Sequence, residues 1–97
     1  MSNDAMSRAQ IRRLFAAGAS VRAVMVDADV RQRQVADLSG VPQARVAMVL
    51  AGGTGTTPAG RDTALRVFRA VAELLGIAVR NIPAAAARPL TRTKKGA

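Results

Sequence analysis

The chain has 97 residues and a formal net charge of +9, from 15 basic and six acidic side chains, so it is one small domain suited to a polyanionic partner. It contains no cysteine and no histidine. Disulfides, thiolate or imidazole metal ligands, and Ser-His or Cys-His catalysis are therefore excluded. Its six acids (Asp4, Asp27, Asp29, Asp37, Asp62 and Glu73) are scattered, without the pairing that general acid–base work requires. No apolar run reaches the length of a membrane span, and the first twenty residues lack a signal-peptide core, so a soluble cytoplasmic protein is expected. Codon usage in a GC-rich genome would explain the excess of arginine over lysine. It would not explain the excess of bases over acids.

In chain order, residues 1–6 read as a frayed end. Ser7 and Gln10 have the spacing of a capping box, and Ile11, Leu14 and Phe15 follow at helical intervals up to Gly18. A first helix over about 7–17 is expected. Ser20 can cap a second, whose apolar stripe is Val21, Val24, Met25 and Ala28, ended by Asp29 and Val30. Helices three and four are expected at about 32–39 and 43–51. The stretch "GGTGTTPAG", residues 52–60, reads as a flexible connection; it lacks the lysine of a phosphate-binding loop. Asp62 begins the strongest helix, over 61–75, with Leu65, Phe68, Val71, Ala72 and Leu75 on one side and Gly76 closing it. Residues 80–97 carry five basic side chains and no acid, and read as a mobile basic tail or a short helix over 84–87 followed by one. With no strand pattern and no repeat, the fold class is all-α: a small bundle of about five helices spanning 7–78, and a tail over 79–97.

The stretch "VADLSGVPQARVAMVLAG", residues 35–52, has only Asp37 and Arg45 as charged side chains. Two short helices crossing at a tight turn impose a fixed set of demands, and this stretch meets them. A small residue is needed where they approach (Ala36), then a positive-φ turn residue (Gly40), then an apolar residue pointing inward (Val41). Pro42 suits a first helical turn, and Val46 and Val49 supply two apolar core positions three apart. Across "QRQVADLSGVPQARVAMVLAGG", residues 32–53, the pattern resembles the helix-turn-helix of the Cro and lambda-repressor type, the Xre-like family. The preceding "VRAVMVDADV" and the following helix ending in "LLG" extend the resemblance over roughly 20–77. The helix at 7–17 is additional. Ser39 stands where the family prefers an apolar residue, with Leu38 beside it; Arg31 replaces the usual Ser or Thr cap; Ala51 replaces an asparagine that often touches phosphate. A second similarity, carried by "TALRVFRAVAELLGI" and "IPAAAARPL", is to the lactose and purine repressor headpiece with its minor-groove hinge.

The resemblance implies that the helix from Gln43 enters the major groove of double-stranded DNA. Gln43 then pairs with adenine, Arg45 with guanine, and Ala44 touches a thymine methyl. Met48 either joins them or packs at the edge of the core. Gln32 braces a phosphate. Arg31, Arg33, Arg88, Arg92, Lys94 and Lys95 are expected as phosphate neighbours, against the alternative of solubilising charge. Arg8, Arg12 and Arg13 either extend that footprint or face water. No catalytic residue, metal ligand or cofactor is expected. Having only two aromatics, Phe15 and Phe68, argues against stacking-based single-strand or RNA recognition. The expected function is transcriptional regulation by operator occupancy, as in a phage or mobile-element repressor; relatives commonly bind palindromes as homodimers, and both monomer and dimer stay open here. A recombination-directionality factor, an antitoxin or a protein-binding adaptor are the alternatives.

Overall fold

The computed structural model describes residues 6–53, 57–83 and 86. These form α1 (Arg8–Ala16), α2 (Val21–Asp27), α3 (Gln32–Ser39), α4 (Gln43–Leu50), α5 (Pro58–Leu75) and a 3-10 turn over Val79–Asn81. Among the described residues there is no strand, so the chain is all-α.

Local chemistry sets the helix starts. Gln10 N–H donates to Ser7 Oγ at 3.1 Å and Ser7 N–H donates to Gln10 Oε1 at 2.9 Å, the reciprocal box expected for α1. Ser20 Oγ accepts from Ala23 N–H at 3.1 Å and so caps α2. Arg31 has no side-chain acceptor, so only half a box forms at α3: Arg31 N–H donates to Gln34 Oε1 at 2.8 Å.

The helix ends follow one pattern with one exception. After α1, α2, α4 and α5 a residue turns left-handed: Gly18 (φ 93°), Asp29 (φ 59°), Gly52 (φ 87°) and Gly76 (φ 75°). In each case that residue's N–H donates three residues back, and the next N–H donates five residues back, as in Val30 N–H to Met25 O at 2.8 Å. This double closure is the Schellman motif. Asp29 shows that a short polar side chain can stand in for glycine there.

α3 ends differently. Gly40 (φ 73°) donates to Ala36 O at 2.9 Å, but the following Val41 N–H goes to Ser39 Oγ at 3.2 Å. The hydroxyl thus stands where the resembling family prefers an apolar residue, and it satisfies an N–H that the open turn releases from the backbone ladder. Leu38 does not compensate by burial; it is 46% exposed.

The core is wholly apolar: among the described residues no polar or charged residue is buried. Val35, Val41, Val46, Val49 and Leu50 from the α3–turn–α4 unit meet Val67, Val71 and Leu75 of α5, while Ile11 and Phe15 bring α1 onto α2. The structure departs from the sequence-based expectation in several places. α5 starts at Pro58, not 61, because Thr57 Oγ1 accepts from Gly60 N–H at 3.0 Å and proline fits the first helical turn. Its buried stripe is Ala64, Val67, Ala70, Val71, Ala72 and Leu75; Leu65 is 41% exposed and Phe68 only half-buried. α4 ends at Leu50, with Ala51 as its cap, and Pro42 precedes the helix as its N-cap rather than lying inside the first turn. Beyond residue 78 the chain still packs: Ile82 lies against the core and Ala86 is buried.

Candidate nucleic-acid interface

The turn Gly40–Val41–Pro42 is too short to let α3 and α4 separate. The starts of α3 and α4 lie on one side of the molecule, since Arg31, Gln32 and Gln43 border the same cleft. A cleft of about 600 Å³ there is lined by Arg22, Met25, Val26, Asp29, Val30, Arg31, Gln32 and Gln43. A second groove, on the other flank of α3, is lined by Arg33, Ala36, Asp37, Gly40, Val41, Pro42 and Gln43. Gln43 borders both and is the centre of the arrangement.

The structure thus brings Gln43, Gln32 and Arg31 together, with Arg33 across the neighbouring groove. It adds Arg22, which the sequence reading passed over. Arg22 follows the buried Val21 and sits one turn before the exposed Val26 on α2, and no spacing along the chain ties it to α3 or α4. Arg88, Arg92, Lys94 and Lys95 lie outside the described residues.

Arg45 is placed apart from Gln43. At 3.6 residues per turn, two positions two apart point roughly 200° away from each other around the helix. The core stripe Val46, Val49 and Leu50 fills the inner side of α4. Gln43 and Arg45 therefore flank its outward face on opposite edges, and Ala44 and Met48 occupy the middle. Met48 is 53% exposed, so it is not part of the buried core.

The charge of this side is weakly compensated. Among the described residues the one salt bridge is Arg66 to Asp62 on α5, at 3.2 Å. Among the described residues Arg22, Arg31, Arg33 and Arg45 have no carboxylate partner, and Asp29 and Asp37 are the acids that line the two grooves. The positive ends of the α3 and α4 backbone dipoles lie on the same side. The combination can hold an extended polyanion and present an amide, Gln43, with both donor and acceptor to whatever lies between the charges.

Among the described residues there is no group of three or more His, Cys, Asp or Glu side chains placed to hold a metal, and no helix long and apolar enough to cross a membrane. No family model, curated protein or solved structure matches the chain.

Proposed function

We propose that the protein binds double-stranded DNA, with α4 in the major groove and the starts of α3 and α2 against the adjoining phosphates, and that it regulates transcription by occupying an operator. The observation that carries this reading is the convergence of Arg22, Arg31, Gln32 and Gln43 on one cleft at the start of two helices joined by a left-handed glycine turn. The resemblance to Cro and lambda-repressor-type helix-turn-helix proteins supports it, as does the net charge of +9. Gln43 and Arg45 read bases; Gln32, Arg22, Arg31 and Arg33 position the protein on the backbone. A phage or mobile-element regulator fits the size and charge of the chain, and a homodimer on a palindrome is the arrangement common in the family it resembles.

Selection from random duplexes, followed by affinity measurements over a range of salt, tests the reading. A steep inverse dependence on salt is expected, since each phosphate neutralised contributes about 0.9 to the slope of log affinity against log salt. Gln43→Ala and Arg45→Ala should each lose about 1–3 kcal/mol at the selected site and relax preference at separate base positions. A uniform loss on cognate and scrambled duplexes would make either residue a phosphate contact. Salt-independent behaviour with no selected sequence would favour a protein-binding adaptor.

A further inference from the structure

The cleft between α2 and the starts of α3 and α4 has an apolar part that a DNA phosphate does not use. A phosphate needs Arg22, Arg31 and the two glutamines, and leaves Val26 and Val30 without a role. Val26 is 76% exposed, the highest value for a large apolar side chain among the described residues. It lies one turn after Arg22 on the same face of α2, and Val30 is half-buried beside it in the cleft. At about 600 Å³ the cleft is within the range of small-molecule sites, about 300–1,000 Å³. Its walls carry two positive charges, Arg22 and Arg31, and one negative charge, Asp29. Neither arginine has a carboxylate partner among the described residues. One monoanion neutralises that balance, whereas a dianion would leave excess negative charge next to Asp29.

We infer that this cleft is a ligand site for a small monocarboxylate with an aromatic or acyl body, and that its occupation and the binding of duplex DNA exclude each other. The carboxylate accepts charge-assisted hydrogen bonds from Arg22 and Arg31. The body covers Val26 and Val30 and takes their apolar surface out of water. The ligand site stands on the cleft alone. The mutual exclusion rests on the DNA-binding reading, because Arg22, Arg31, Gln32 and Gln43 are the residues that face the duplex there. A metabolite of this class would therefore release the operator.

The probe is 2-naphthoate, with its methyl ester (body without charge) and acetate (charge without body) as controls, each titrated into the isotope-labelled full chain without DNA. The acid should shift the backbone amides of Arg22, Val26, Val30 and Gln32, and should bind about tenfold or more tighter than either control. Asp29→Asn keeps a side chain that tolerates the left-handed backbone; it should tighten the acid and leave the ester unchanged. Val26→Thr, similar in shape, should weaken acid and ester alike by about fivefold, with the melting temperature unchanged because the side chain is exposed. An ester that binds as well as the acid overturns the inference, as do amide shifts outside the cleft or an Asp29→Asn variant with unaltered affinity for the acid. All three results leave DNA binding intact. Against a duplex selected from random DNA, 2-naphthoate at about ten times its Kd should weaken binding about tenfold. Undiminished duplex affinity at that concentration overturns the exclusion. A chain that binds no duplex at all defeats the DNA-binding reading instead, and the amide shifts still decide the ligand site.

Discussion

Substitutions at Gly40 give the sharpest test of the α3–α4 turn. The residue sits at φ 73°, ψ 15°, and a Cβ built there meets no heavy atom within 4 Å. Any penalty is therefore one of backbone conformation and not of collision. Placing an L-residue in the left-handed region costs roughly 1–2 kcal/mol. Against this, replacing glycine with alanine stiffens the unfolded chain and returns about 0.4–1 kcal/mol. Gly40→Ala should accordingly lose about 1 kcal/mol, or roughly 4–8 °C in Tm for a domain of this size. Gly40→Val, with a branched Cβ, should lose about 2–3 kcal/mol. Gly40→Asn should cost least, since a short amide tolerates that conformation, as the neighbouring class of residue does at Asp29 (φ 59°). Thermal unfolding followed by far-ultraviolet circular dichroism suits a chain without Trp or Tyr. Gly53 provides the contrast, because its Cβ would lie 3.1 Å from the Met48 carbonyl oxygen and meet a real obstruction. If Asn at position 40 cost as much as Val, contact rather than conformation would be governing, and the account of the turn would be wrong.

Removing the Thr57 hydroxyl that caps α5, as Thr57→Ala, should destabilise by about 1 kcal/mol, and Ser7→Ala at the α1 box by a similar amount, both measured by chemical denaturation. Leu50→Ala, at a side chain 1% exposed, should cost about 2–5 kcal/mol. Leu65→Ala, at one 41% exposed, should stay within about 0.5–1 kcal/mol; parity between the two would contradict the assigned face of α5. Deleting residues 88–97 removes Arg88, Arg92, Lys94 and Lys95 and should flatten the salt slope by about 0.9 for each phosphate they neutralise. Affinity should fall equally for cognate and scrambled DNA; selective loss of cognate binding would favour the minor-groove hinge suggested by "PAAAARPL".

What could be read from the sequence was what short-range chemistry decides. The Ser7–Gln10 box, the stop at Gly18 and the span of α3 all depend on residues within one or two turns of each other, and all appear as expected. The buried face of α5 was misjudged for a different reason. Ala64, Ala70 and Ala72 are equally at ease inside or outside, so the larger Leu65 and Phe68 dominated the pattern. Only the packing of α3 against α5 determines which side turns inward. The base-facing candidates were legible as a group at the start of α4. Their division into Gln43 on one edge and Arg45 on the other depends on which side of α4 is buried, and Leu50 joins Val46 and Val49 there. Arg22 belongs to the cleft through α2, a different element, and no spacing along the chain could reveal that proximity.

The differing helix ends also set an order of events in folding. The closures after α1, α2, α4 and α5 each need only a handful of consecutive residues, so they can form on the sub-microsecond to microsecond scale of local helix formation. These four corners can form without contacts from distant segments. The corner between α3 and α4 has a single backbone bond and a serine hydroxyl, so its angle is fixed later, when Val35, Val41 and Val46 come together. The aim of α4 is therefore inherited from the core rather than written into the turn. A conservative change deep inside, such as Val35→Ala, should disturb the direction in which Gln43 and Met48 point while leaving every residue on the outer surface untouched.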